Sequence, residues 1–258
     1  MFNLNEGLWY YIIQDQGISK NDWRYVALTV AFAFMAMAAG YLLGSINSAI
    51  LISKTLYGDD IRKHGSGNAG LTNMLRTYGK KAAGLTLLGD ILKTALAIVV
   101  GSILGGFGYW KGISLSYLTC ELPLNYMAGF CAVIGHILPI YYGFKGGKGV
   151  LCTATMALIL TPVEFVILLG VFVLMVWWSK YVSLGSVTVA VLYPIVVSGH
   201  IKIAFNNAMY QNGVMALITI ALAIIIVYCH RGNLERISNG TERKLSFKSK
   251  KNNDTESK

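Results

Sequence analysis

The densest run of groups able to do chemistry is His64-Gly65-Ser66-Gly67-Asn68-Ala69-Gly70-Leu71-Thr72-Asn73-Met74-Leu75-Arg76. Gly65, Gly67 and Gly70 let the backbone approach a ligand closely and reach conformations closed to other residues. Ser66, Asn68, Thr72 and Asn73 offer neutral hydrogen-bonding groups, and Arg76 offers a planar, permanently charged fork suited to phosphate. A second stretch, Gly143-Phe144-Lys145-Gly146-Gly147-Lys148-Gly149, has the same character. Its spacing departs from GxxxxGK[ST], which argues against a nucleotide-hydrolysing phosphate loop. Together the two stretches have what a small phosphorylated substrate requires. The plainer alternatives stand beside this: an ordinary turn before a helix capped by Asn68 or Thr72, and lysines that only mark a cytoplasmic loop.

Other ionisable residues are sparse. Asp90 and Lys93 lie three apart inside an apolar run, close to a helical-neighbour spacing. Ionisable groups in a membrane span face the bundle interior and pair there, so this reads as a structural ion pair. His136, three residues before Pro139, is either catalytic or a donor to a freed carbonyl. His230 and Asn233, three apart just beyond the last apolar run, project the same way if that stretch is helical. Cys120, Cys131, Cys152 and Cys229 show no CxxC spacing and read as packing residues, so neither a disulfide nor a metal site is expected.

The elements that must position these groups are membrane helices. Of 258 residues, 55% are hydrophobic and only 13% charged, about half the charged share of a soluble domain. The net charge of +10 comes from loops beside apolar runs, which fits cytoplasmic loops and not nucleic acid. Met1 to Arg24, with Glu6, Asp15 and Asp22, is no signal peptide and reads as an interfacial segment. The predicted spans are Val26 to Leu43, with helix continuing to Ile52, then Ala82 to Leu104 and Leu122 to Tyr142. Residues 53–81 and 105–121 are expected to be loops. The apolar run from Val150 to Trp178 divides into two short helices at Pro162, followed by Leu184 to Ser198 and Val214 to Cys229. The parity of crossings between the basic loop at 53–81 and the basic tail supports that division. The expectation is an all-α integral membrane bundle of about seven spans, amino terminus outside and carboxyl terminus cytoplasmic. Residues 1–243 form one domain, and 244–258 a polar basic tail expected to be disordered. Four polar clusters then share the cytoplasmic face: 59–76, 143–149, 180–186 and 230–242.

These clusters carry a resemblance. Asp60-Ile61-Arg62 through Arg76, with Gly79, resembles the first motif of the bacterial acyl-phosphate:glycerol-3-phosphate acyltransferase family. Gly135-His136-Ile137-Leu138-Pro139 followed by Phe144-Lys145-Gly146-Gly147-Lys148-Gly149-Val150 is similar to its second. His230-Arg231-Gly232-Asn233-Leu234-Glu235-Arg236, with Gly240-Thr241-Glu242, is similar to its third, and Tyr181-Val182-Ser183-Leu184-Gly185-Ser186 to a short serine element between them. The likeness runs in order over roughly residues 40–243. No histidine has an Asp five positions on, so the HxxxxD arrangement of soluble and peripheral glycerolipid acyltransferases is absent.

The resemblance implies transfer of a fatty acyl group from acyl phosphate to the 1-hydroxyl of glycerol 3-phosphate, giving lysophosphatidic acid and phosphate at the start of phospholipid synthesis. It implies no cofactor and no metal, a bacterial plasma membrane setting with a cytoplasmic active site, and a functional link to an acyl-phosphate-forming enzyme. Ser66, Arg76, His230 and Asn233 would be catalytic. Gly65, Gly67, Asn68, Thr72, Asn73, Lys145, Gly146, Gly147, Lys148, Ser183 and Ser186 would bind substrate. Asp90, Lys93 and Glu242 would be structural, and the acceptor's own phosphate could serve as base. Asn47 replaces an expected proline, Leu71 an alanine and Thr94 a glycine, all outside these polar residues. The competing reading is a transporter or binding protein for a phosphorylated small molecule. It is disfavoured because the polar groups gather at one face and no internal repeat is visible.

Overall fold

A computed structural model describes residues 7–19, 22–106, 113–115, 120–205 and 213–245. Nearly every described element is a helix. The first, α1 (Gly7–Asp15), falls in the segment expected to be interfacial and buries Trp9 and Ile13 in a cluster with Tyr25 and Phe32. Trp9 Nε1 donates to Thr29 Oγ1 at 3.2 Å. Asp22 caps α2 (Trp23–Gly44) by accepting from the Arg24 amide. The predicted continuation to Ile52 is interrupted. The helix stops after Gly44 and restarts as α3 (Ser48–Tyr57) behind Asn47, whose side chain accepts from Ile50 N at 3.1 Å. Asparagine competes for backbone N–H groups in this way, which makes it a good helix start and a poor helix interior.

The next helix, α4 (Leu71–Gly105), begins eleven residues before the predicted span, with a non-helical break at Gly79 (φ +83°). Thr72, Asn73 and Arg76 therefore stand on a helix and not in a loop. Neither Asn68 nor Thr72 caps it; Gly70 holds that position without a side-chain bond. The segment before α5 (Leu124–Ile137), expected to be a plain loop, contains two short strands. These are β1 (Ile113–Leu115) and β2 (Cys120–Leu122), antiparallel with Ser114 opposite Glu121. They are the only strands among the described residues.

After a 3₁₀ turn at Ile140–Tyr142 come α6 (Val150–Leu160) and α7 (Pro162–Ser179), meeting at Thr161 as the sequence predicts. Pro162 sits where a helix loses nothing by lacking an N–H. The chain closes with α8 (Val182–Phe205), α9 (Gly213–Cys229) and α10 (Arg231–Ser238), the last bent 51° from α9.

Close backbone approach holds the first half together. Gly40 and Gly44 of α2 lie against Ala128 and Ala132 of α5, and a Cβ on either glycine would collide with the alanine carbonyl. This is the small-xxx-small packing that lets membrane helices associate without a hydrophobic driving force. The second half shares a cluster built on Tyr126, Met156, Leu160, Tyr193 and Leu222. Phe34, Leu174, Trp177 and Trp178 point outward. By length and composition Trp23–Tyr57, Leu71–Gly105, Leu124–Tyr142 and Pro162–Ser179 can cross a membrane, as can α9 with α10 taken as one broken span. Val150–Leu160 and Val182–Ser198 are shorter apolar helices. The expected disorder of the tail falls on residues 246–258, which lie outside the described residues.

Candidate active site

The first glycine-rich stretch is folded by two side chains. Asn73, almost fully buried, donates through Nδ2 to His64 O at 2.9 Å and Asn68 O at 3.0 Å, while its Oδ1 accepts from Ser66 N at 3.1 Å. Its amide is committed to the loop, which places it as the loop's organiser and not as a free substrate ligand. Arg62 grips Asp60 through Nε and Nη2, the latter at 2.7 Å from Oδ2. Its Nη1 donates to Tyr142 O at 2.7 Å and Lys145 O at 3.2 Å. One guanidinium thus staples the first loop to the second, and its hydrogen bond pulls the Asp60 carboxyl down to about 2.

In the second loop, Gly146 N and Gly147 N donate to Ile137 O and His136 O at 3.1 and 3.0 Å. A Cβ at Gly147 would strike His136 Nε2 and the Ala69 carbonyl. These glycines let the chain pass between two walls, so that Lys148 emerges into the cavity. Beneath them Lys93 Nζ lies 2.9 Å from Asp90 Oδ1, 3.0 Å from Ile46 O and 3.0 Å from His136 Nδ1. His136 therefore does not donate to a carbonyl freed by Pro139; it joins a buried cluster with the ion pair. Asp90, His136 and Cys152 each bring a possible metal-ligating atom within 4.8 Å of the others. The Lys93 ammonium already supplies the cation there.

The third cluster forms where α9 bends into α10. His230 Nδ1 faces Ile226 O at 2.7 Å; a carbonyl only accepts, so this nitrogen carries the proton and Nε2 keeps its lone pair. Burial lowers the imidazole to about 4, against the upward pull of the Ile226 carbonyl. Asn233 links both ends of the cluster, accepting from Lys148 Nζ and donating to Glu242 Oε1 at 2.6 Å. Glu242 also accepts from Ser183 Oγ at 3.0 Å and Arg236 Nε at 2.8 Å. Burial raises its carboxyl, but the bonds from Asn233, Arg236 and Ser183 outweigh this and hold it below the ordinary range. Burial lowers Lys148 to about 8, with the Arg236 charge adding to the effect.

All three clusters meet on one cavity of about 780 Å³. Gly65, Ser66, Asn68, Thr72, Asn73, Arg76, Lys148, Ser183, Ser186, His230, Asn233 and Glu242 line it, with Asp90 and His136 below. Four of the predicted binding residues do not: Gly67, Lys145, Gly146 and Gly147 shape the loops behind it. Lys93 likewise stays behind the wall. Arg62, Asn47, Arg236 and Arg243 were missed. The Asp60–Arg62 spacing was a readable signal for the first, whereas Asn47 reads only as a missing proline until its buried amide is seen near the Ala69 and His136 carbonyls, at 3.4 and 3.5 Å. Arg76, Lys148, Arg236 and Arg243 line the cavity with two carboxylates, Glu242 and an Asp90 already paired with Lys93. Among the described residues Arg76 and Arg243 have no ion-pair partner. Most of the remaining wall, including Ala157, Leu168, Phe172 and Val189, is apolar, with Thr153 and the Tyr193 hydroxyl as polar exceptions.

A cation-rich mouth over an apolar slot suits a molecule with anionic head and hydrocarbon tail. Residues 34–240 match the family described as glycerol-3-phosphate acyltransferase. The chain belongs to that family. A glycerol-3-phosphate acyltransferase of Clostridioides difficile is 38% identical over 84% of this chain and 98% of its own length. One of Syntrophomonas wolfei is 41% identical over 81% and 94%. The crystal structure of PlsY (YgiH), an integral membrane glycerol 3-phosphate acyltransferase in its glycerol 3-phosphate form, superposes with a TM-score of 0.67. It is 28% identical and covers 83% of this chain and 96% of that one. A lysophosphatidic acid form of the same protein gives 0.64. This member of the family is an integral membrane protein with several apolar helices.

Proposed function

We propose that this protein transfers a fatty acyl group from acyl phosphate to the 1-hydroxyl of glycerol 3-phosphate, releasing lysophosphatidic acid and phosphate. The observation that carries this reading is the convergence of Ser66, Arg76, Lys148, His230 and Asn233 on one cation-rich mouth that continues into an apolar slot. Two anionic substrates must meet for the reaction, and the surplus of positive charge from Arg76, Lys148, Arg236 and Arg243 offsets their repulsion.

The hydroxyl oxygen attacks the acyl carbonyl carbon, the bond from that carbon to the phosphate oxygen breaks, and the hydroxyl proton ends on phosphate. Acyl phosphate is already a mixed anhydride, so no covalent enzyme intermediate is required. Positioning can supply about 7–11 kcal/mol of barrier lowering, and donors aimed at the developing oxyanion about 3–4 kcal/mol. Ser66, Asn68 and Thr72 line the same mouth and can supply such donors. Neutral His230 presents its Nε2 lone pair as a hydrogen-bond acceptor for the attacking hydroxyl.

The same reading places the site at the cytoplasmic face of a bacterial plasma membrane, with seven spans, amino terminus outside and carboxyl terminus inside. It takes residues 1–243 as one domain. The donor links the protein to an acyl-phosphate-forming enzyme. The test uses purified protein in lipid, radiolabelled glycerol 3-phosphate, and either palmitoyl phosphate or palmitoyl-CoA. Labelled lysophosphatidic acid from the phosphate donor alone is the expected result. Product from the CoA donor overturns the donor assignment, and no product from either overturns the reaction.

A further inference from the structure

The apolar part of the cavity runs along α8. On α8 its wall is formed by Ser183, Ser186, Ala190 and Tyr193, a helical face on which polar residues give way to apolar ones. Ser183 and Tyr193 are ten positions apart on one helix, about 15 Å along its axis. Ala154 and Ala157 of α6 also line the slot, and with Ala190 they leave its middle open.

Tyr193 is the last residue of α8 that lines the cavity. It is 2% exposed and packs in the cluster that includes Leu160, Val197 and Leu222. Its hydroxyl lies 3.3 Å from Thr161 Oγ1, and Thr161 Oγ1 donates to Ala157 O at 3.2 Å. A hydroxyl has one hydrogen to give, so in this pair the phenol donates. The ring is pinned to the corner where α6 turns into α7, behind Pro162. A tethered flat ring resists displacement more than a free aliphatic side chain does.

We propose that Tyr193, held by Thr161, is the floor of the acyl-chain slot and sets the longest acyl chain that the enzyme transfers efficiently. This rests on the acyltransferase reading above. In an apolar slot each further buried methylene improves binding by roughly four-fold. A methylene that meets the floor must instead bend aside or displace packed atoms, and the gain reverses.

The experiment measures kcat/KM for lauroyl, myristoyl, palmitoyl and stearoyl phosphate with the full chain in lipid, in the wild type, Tyr193→Ala and Ala157→Leu. Tyr193→Ala should raise the stearoyl-to-lauroyl ratio by about fifteen-fold, the scale of two methylenes gaining burial. Ala157→Leu should lower it by a similar factor, because the added carbons narrow the slot above the floor. Tyr193→Phe, which keeps the ring but loses the tether, should shift the ratio upward by less than Tyr193→Ala. Should Tyr193→Ala not fold, the opposite shifts predicted for Tyr193→Phe and Ala157→Leu decide the matter. Unchanged ratios in folded, active variants overturn the floor, since the chain then leaves sideways into lipid past the half-exposed Leu169. A wild type that forms no product from any acyl phosphate overturns the reaction itself, and the floor with it.

Discussion

At the scale of single residues, the site depends on charges that are held in place without being neutralised. Arg76 lines the cavity with no ion-pair partner among the described residues, and its planar fork suits a phosphate. Replacing it by lysine keeps the charge and loses the fork. Arg76→Lys should therefore lower kcat/KM by about 10²-fold, the loss of one strong transition-state contact, and turnover equal to wild type would remove Arg76 from the cradle. Lys148 makes a pH prediction. Its pKa of about 8 means that it is charged below that pH and neutral above it. The kcat/KM profile, which reports groups of the free enzyme, should fall about ten-fold per unit above pH 8. Lys148→Arg, permanently charged, should show no fall on that limb. His230, near 4, is neutral throughout this range and should contribute no limb between pH 6 and 9. Ser66, Arg76, Lys148, His230 and Asn233 were legible as types able to bind phosphate or assist transfer. The work of Asn73 was not: a buried amide and a substrate-binding amide look the same until His64 O, Asn68 O and Ser66 N are placed around it.

At the scale of elements, the loops are aimed by where helices start. Asn47 ends the first long helix and begins the next, and its amide also reaches toward the carbonyls of Ala69 and His136 from the two glycine-rich loops. Asn47→Ala should cost about 1 kcal/mol for the lost cap and somewhat more for the carbonyls left without a donor. A lowered thermal midpoint in detergent would register it, and an unchanged midpoint would show that Asn47 is not holding the loops. The break at Pro162 was readable because proline at a first helical position is a strong signal. The break at Asn47 was not, because the apolar periodicity runs on past it. Helix at residues 71–78 was likewise hidden by glycines and polar residues that resemble a loop, although the packing of Met74 into the interior fixes it as helix.

At the scale of the molecule, the proposed topology puts the four polar clusters on one side of the membrane and α1 on the other. Single-cysteine variants Lys63→Cys, Lys180→Cys and Asn239→Cys should react with a membrane-impermeant maleimide only in inside-out vesicles, and Asp15→Cys only in right-side-out ones. Labelling of Lys63→Cys and Asn239→Cys from opposite sides would overturn the parity of crossings. On that proposed topology the cavity's apolar slot would run away from the cytoplasmic face. Its tail end is then at the depth of the hydrocarbon, and its polar mouth meets the water that carries glycerol 3-phosphate.

The sequence by itself determined the membrane class, the helical character, the order of the motifs and the residue types of the phosphate-handling groups. All of these follow from local composition and short-range spacing. Only the tertiary structure decided which of those residues share the cavity. Lys148 meets Asn233 and Ser183 meets Glu242 across separations of 85 and 59 residues, and no periodicity within one helix encodes a partner on another. The roles of Gly147 and Gly44 were decided there too. What a glycine permits is set by the neighbouring chain pressed against it, here the His136 ring and the Ala132 carbonyl.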